Sequence, residues 1–174
     1  NKLISEISNF SRIIAEIETE NFQLIEINNF LSNFKKNYLG NAKNIKIEIK
    51  LEKKRSYFLA NQEKLLQVFL NLIDNSISVS EENTSILINT SKNNDILNIK
   101  IYDQGKGINF EHKDKIFNRF YTDRDYDRDK HSGLGLSICK EIIKSFNGSI
   151  ELTKSDNYDF RGACFIIKLP LRKS

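Results

Sequence analysis

Cysteine is scarce in this 174-residue chain: Cys139 and Cys164 are the only two, each inside an apolar run and far apart in sequence. Two such thiols make no disulfide framework, and buried free thiols of a reducing compartment are expected. Histidine is equally scarce, and His112 and His131 stand at no ligand spacing. Zinc needs about four ligands, so a zinc protein is excluded. No stretch approaches the roughly 20 apolar residues of a membrane span, and the N-terminus carries no signal-peptide pattern. The chain starts with Asn rather than Met, so it is expected to be a piece of something longer.

Charge of one sign is not concentrated either. A net charge of +4 invites a nucleic-acid reading, but the basic residues are scattered among acids, with only short runs such as Lys53-Lys54-Arg55. Lysines outnumber arginines 20 to 7, and Asn and Ile are abundant, a bias that A/T-rich codons explain without a ligand. No nucleic-acid partner is expected. With 39% hydrophobic and 29% charged residues, the composition is that of a globular domain rather than a disordered or membrane-embedded chain.

Glycine and proline are absent from residues 1–20, where Leu3, Ile7, Phe10, Ile14 and Ile17 recur at spacings of four and three. That heptad seam predicts a helix of a coiled coil or bundle, with an amphipathic helix lying on the following domain as the alternative. A seam this short is not stable alone. Phe22–Ile27 reads as a short strand, after which Asn28 or Asn29 is placed to cap a helix stopped at Gly40-Asn41. Strict alternation marks a strand over Ile45–Leu51, and Tyr57–Ala60 is another. Asn61–Ser80 carries apolar residues at helical spacing. Strands Ser85–Thr90 and Ile96–Tyr102 flank a polar turn at 92–95. A long polar stretch, 103–132, precedes a helix at Leu134–Phe146, stopped by Asn147-Gly148, and strands Ser149–Thr153 and Ala163–Leu169. Mixed helices and hairpins predict an α+β fold, one mostly antiparallel sheet with helices on one face.

Four local features carry chemistry. Asn71 and Asn75 stand four apart on one helix face, where two amide oxygens can ligate a hard cation such as Mg2+ or cap internal hydrogen bonds. Asp103-Gln104-Gly105-Lys106-Gly107-Ile108 follows a strand, and its glycines permit close approach of the backbone to a ligand. An Asp there can accept from the exocyclic amine of a base. Ile116-Phe117-Asn118-Arg119-Phe120-Tyr121 leads into alternating charges through Lys130, a long loop of the kind that serves as a lid. Ser132-Gly133-Leu134-Gly135-Leu136-Ser137 opens a helix whose N–H groups suit phosphates. It lacks the Gly-Lys-Ser/Thr ending of a P-loop and follows no strand as a Rossmann loop would.

In that order these four features resemble the N, G1, F and G2 boxes of the histidine-kinase catalytic domain, a Bergerat-type ATPase akin to gyrase B and MutL. The resemblance covers about residues 22–170. Arg119-Phe120-Tyr121-Thr122-Asp123-Arg124 followed by His131-Ser132-Gly133-Leu134-Gly135-Leu136-Ser137-Ile138 is similar, more narrowly, to ChvG-type sensor kinases of alphaproteobacteria. The family implies a two-layer α/β sandwich over residues 21–174, with residues 1–20 as the end of the second helix of a dimerisation and phosphoacceptor bundle. It implies ATP and Mg2+ as cofactors, with Asn75 ligating Mg2+ and Asn71 assisting it or contacting phosphate. Asp103 would read the adenine amino group beside Gly105, Gly107 and Ile108. Phe117 and Phe120 would anchor the lid, and Ser132, Gly133, Leu134, Gly135 and Leu136 would border the triphosphate. Partners implied are the chain's own bundle, a response regulator and a second copy of the parent, with a cytoplasmic domain on a protein of the bacterial inner membrane.

There are departures. Many relatives carry a basic residue where this chain has Ser78, so Arg119 or Arg124 is left to balance phosphate charge. His131 replaces a frequent glycine, and neither His112 nor His131 stands where a phosphoacceptor would. Asn71 occupies the place of the glutamate that water-activating relatives use, which disfavours a hydrolytic ATPase. The competing readings are such a non-kinase ATPase, a protein-serine kinase of the same superfamily, or a nucleotide-free scaffold.

Overall fold

The computed structural model describes residues 2–17, 21–38, 45–121 and 133–172. Its helices are α1 (Lys2–Ile17), α2 (Ile27–Tyr38), α3 (Gln62–Val79) and α4 (Gly135–Ser145). Its strands are β1 (Gln23–Glu26), β2 (Lys46–Lys50), β3 (Tyr57–Ala60), β4 (Ser85–Asn93), β5 (Ile96–Tyr102), β6 (Ser149–Thr153) and β7 (Cys164–Pro170). Five strands form one sheet in the order β2-β4-β5-β7-β6, with only the β2/β4 pair parallel. The expected α+β sandwich is what forms, with one difference: β1 and β3 pair with each other as a separate two-stranded sheet.

Alternation along the strands decides which face is covered. Ile88, Ile101 and Phe165 stand in register on β4, β5 and β7, and all three join the main core with α3 and α4. On the opposite face Leu87, Tyr102 and Cys164 stand in register, covered by Phe160 of the β6–β7 connection. The helices therefore occupy one face and a loop caps part of the other.

α3 is bounded as its sequence predicts. Asn61 Oδ1 accepts from the backbone N–H groups of Glu63 (2.9 Å) and Lys64 (3.1 Å), and Ser80 is the C-cap. Replacing Asn61 with Ala is expected to lower stability by about 1 kcal/mol, read as a lower denaturant midpoint at unchanged m. Its apolar stripe is buried at Leu65, Val68, Phe69, Leu72 and Ile73, with Ser76 among them.

Two local expectations are corrected. α2 begins at Ile27, which is fully buried, so Asn28 and Asn29 lie inside the first turn and cannot cap it. Glu26 does so instead, its two carboxylate oxygens accepting from Asn28 N (3.0 Å) and Asn29 N (3.1 Å). The β4–β5 turn is tighter than expected: Asn94 adopts a φ of 52°, so the turn shrinks to Asn94-Asp95, and Lys92 and Asn93 pair with Leu97 and Ile96. The Gly40-Asn41 stop lies outside the described residues.

α1 lies against α4, buries Ile13 in the main core and is tied to α3 by Lys64 Nζ, 2.6 Å from Glu16 Oε2. Ile7 of the heptad seam is exposed, and the side chains of Leu3, Phe10 and Ile17 are outside the description. Among the described residues no helix is long and apolar enough to cross a membrane.

Candidate functional site

Asn71, Asn75 and Val79 are successive i, i+4 positions, so they line one face of α3. At one end of that face Asn71 Nδ2 donates to the carbonyl of Gly135 (3.4 Å), at the start of α4. At the other end Val79 abuts the loop after β5: a methyl group on Gly105 would come within 2.8 Å of both its Cγ2 and its carbonyl oxygen. Asn75 lies between, half-buried, with no hydrogen-bond partner for its side-chain amide among the described residues. The face thus runs from the α4 start to the Asp103 loop, joining three of the four sequence features along one side of a helix.

Asp103 is 1% exposed, and its placement depends on two strands. Its Oδ1 accepts from the N–H groups of Gly105 (3.0 Å) and Ala163 (2.9 Å). Its own backbone N–H donates to the Ala163 carbonyl (3.1 Å), and its carbonyl accepts from Gly162 N (3.1 Å). A carboxylate buried this deeply needs such donors to offset lost hydration. Gly162 is indispensable to the packing: a Cβ there would sit 2.0 Å from Asp103 Oδ1 and 2.7 Å from Gly105 N. Sequence reasoning missed Gly162 and Ala163. The only local signal was a glycine directly before the last strand.

The glycine-rich start of α4 is open in another sense. Its N-cap residue, Leu134, makes no side-chain cap hydrogen bond and its first turn holds no acid, so no carboxylate of that turn offsets the partial positive charge of its N-terminal N–H groups. Leu134 is buried, Leu136 packs on the core, and the Ser137 hydroxyl donates to the Leu134 carbonyl (2.8 Å). Gly133 has a φ of 69°, and a Cβ on it would lie 2.7 Å from the Phe120 carbonyl carbon, so the segment crosses itself there. Phe120 N donates to the Gly133 carbonyl (3.1 Å), which ties the third feature to the fourth.

The two phenylalanines differ. Phe117 is buried, edge-on to Phe165 at 6.3 Å, with the Lys140 ammonium 5.8 Å from its ring centre, whereas Phe120 is half exposed with a φ of 62°. Arg119 is exposed, Ile108 packs on the main core, and His112 sits edge-on to Tyr121 at 6.0 Å. Arg124, His131 and Ser132 lie outside the described residues. Ser78, in the place of a frequent basic residue, turns its hydroxyl back to the Asn75 carbonyl (2.6 Å).

Both thiols are free and buried. Burial pushes each up to about 12, and Asn71 beside Cys139 offsets this only in part. They stay protonated at neutral pH and offer no nucleophile.

Residues 60–173 match the family described as histidine kinase-, DNA gyrase B-, and HSP90-like ATPase. The chain is 31% identical to the sensor protein ChvG of Rhizobium meliloti over 97% of its length and 32% of the relative's. It is 35% identical to the sensor protein SrrB of Staphylococcus aureus over 98% of its length and 29% of the relative's. It therefore spans about a third of the length of these relatives. Among solved structures, the catalytic domain of the histidine kinase ThkA is 26% identical, with a TM-score of 0.71 covering 87% of this chain and 96% of that one. ThkA in complex with the response regulator protein TrrA gives a TM-score of 0.68 at 24% identity, covering 97% of this chain and 49% of that one. With the strand order, the buried Asp103 and the glycine-bordered α3 face, these matches establish that the chain belongs to the histidine kinase-, DNA gyrase B-, and HSP90-like ATPase family.

Proposed function

We propose that this chain binds Mg-ATP along the Asn71–Asn75–Val79 face of α3 and is the catalytic part of a sensor histidine kinase. The observation that carries the reading is the buried Asp103 carboxylate, oriented by the Gly105 and Ala163 N–H groups. A fixed acceptor in a dry site selects a ligand that offers a donor, and the adenine amino group is one. Gly105, Gly107 and Ile108 border the base. Gly133, Leu134, Gly135 and Leu136 admit the phosphates at the start of α4.

The donor set fits Mg2+. Asn75 offers a half-buried amide oxygen with no internal partner, a hard ligand for an ion that keeps several waters and shares the phosphates. When bound, the ion neutralises charge on the transferring phosphoryl group. Asn75 would hold it, and Asn71, bonded to the Gly135 carbonyl, would keep the α4 start against α3. Arg119 and Arg124 would supply the charge that Ser78 does not, with Phe117 and Phe120 anchoring the segment that carries them and Ser132 contacting phosphate. Little covalent chemistry is asked of the protein, since phosphoryl transfer is chiefly positioning and charge neutralisation.

In the whole protein the γ-phosphate would pass to a histidine on a helical bundle, of which residues 1–20 are the end, and then to a response-regulator aspartate. The complex of ThkA with TrrA supports a response regulator as partner. A homodimeric parent in the bacterial inner membrane, with this domain in the cytoplasm, follows the same reading.

Calorimetric titration with a non-hydrolysable ATP analogue tests it. Mg-dependent binding is expected, weakened about a hundredfold by Asp103→Asn, which keeps an acceptor for Gly105 and Ala163 but turns a donor toward the base. Equal binding by the variant, or none by the folded native chain, would remove the assignment.

A further inference from the structure

Next to the Asp103 loop, where residues 106–110 face the β6–β7 connection, lies a cavity of about 560 Å³. Of the described residues, Asn71, Asn75, Asp103 and Gly135 take no part in its lining. It carries three cations, Lys106, Lys154 and Arg161, none of which has a carboxylate partner among the described residues. Among the described residues the one carboxylate lining it, Asp156, is taken by Lys100 Nζ (2.5 Å) and the Tyr102 hydroxyl (2.8 Å), which together hold its pKa below the usual range. Three like charges around one concavity repel, and a counter-ion relieves them.

Two of these cations are held in place before any ligand arrives. The Lys154 ammonium stands 5.5 Å from the ring centre of Phe110, an attraction that favours one position of a long side chain. Arg161 Nε donates to the Tyr158 carbonyl (3.2 Å), while its terminal nitrogens have no partner among the described residues. The connection that carries both is pinned: Phe160 is buried under the sheet, the Ser155 hydroxyl bonds its carbonyl, and Phe160 N bonds the Asn157 carbonyl (3.1 Å). Preorganised cations lose little freedom on binding.

The geometry points to a second binding site in this cavity, for a small polyanion bearing two or more phosphate or carboxylate groups held by Lys106, Lys154 and Arg161. The volume suits a small molecule rather than a protein segment. Its wall includes Gly162 and Ala163, whose N–H groups hold Asp103, so an occupant is felt at that carboxylate. The cavity shares Gly107 and Ile108 with the proposed base-binding wall, but its three cations are its own and belong to no part of the nucleotide reading.

The test is a titration of the 174-residue chain at constant ionic strength, followed by amide NMR, with inorganic pyrophosphate in one arm and citrate in the other. Saturable shifts at Gly107, Lys154, Tyr158 and Gly162 are expected, and the tighter arm names the acid class. The double variant Lys154→Ala, Arg161→Ala should weaken binding about tenfold or more, while Lys144→Ala and Asn75→Ala leave it unchanged. These are exposed or half-buried side chains, and the unshifted remainder of each spectrum reports an intact fold. No saturation with either anion overturns the site, as does loss in Asn75→Ala with binding kept in the double variant. Shifts of the same amides by an Asp/Glu-rich peptide, with both small anions inert, would overturn it in favour of an acidic protein partner.

Discussion

Replacing Gly162 with alanine is expected to weaken binding of the Mg-ATP analogue about a hundredfold, as much as changing Asp103 itself. The added methyl would stand 2.0 Å from Asp103 Oδ1, 2.7 Å from its carbonyl oxygen and 2.7 Å from Gly105 N. None of these is the free end of a flexible side chain, so relief requires the carboxylate to leave its two N–H donors or β5 to part from β7. Gly107→Ala is the comparison. Its φ of 75° makes alanine strained, but the nearest atom would be 3.7 Å away, so the cost falls on loop conformation and not on Asp103. Calorimetry should therefore rank the losses Gly162→Ala well above Gly107→Ala. The reverse order would show that glycine serves the loop's bend rather than the carboxylate's seat.

Phe69→Ala should have the largest effect on stability, about 3–5 kcal/mol, with a fall in Tm of about 10 °C. Phe69 is fully buried on α3, with its ring centre 5.3 Å from that of Phe30 and 5.5 Å from that of Phe34, both on α2. These aromatics join α2 to α3, so truncation leaves a void between two helices that are each pinned elsewhere. Partial collapse cannot fill it. Phe69→Leu, which keeps most of the volume, should cost less than half as much. Thermal unfolding of the two variants side by side separates the cavity from simple loss of an aromatic contact. Equal losses would place the energy in ring–ring contacts instead.

Much of the local structure was legible because short-range physics decides it. The caps of α3 are Asn61 and Ser80, as the polar residues flanking its apolar run predict. β3 and β6 begin and end where alternation and turn residues place them. α4 ends at Ser145, and Asn147 just beyond its C-cap takes a φ of 57°, as the helix-stop signal predicts. The start of α2 was misread because Glu26, a better acceptor for two N–H groups than either asparagine, sits two residues before Asn28 and Ile27 is drawn into the core. The site was legible as four motifs in order, yet their mutual geometry was not. For Asn71 the sequence left a cation ligand and an internal hydrogen bond both open, and its amide bonds the first residue of α4.

The sequence alone determined the element types, the length of α3, the alternating strands and the chemistry on offer: two amides on one helix face, an Asp before paired glycines, and a glycine-rich helix start. Those are properties of residues within a turn or two of one another, where periodicity and backbone freedom act. The tertiary structure alone decided that Asp103 is seated by Gly162 and Ala163, about 60 residues further along the chain. It also decided that Leu87, Tyr102 and Cys164 need a loop to cover them. Both outcomes follow from β5 pairing with β7 rather than with its sequence neighbours alone. Strand order is set by which faces must be buried together across the whole chain, and no local pattern contains it.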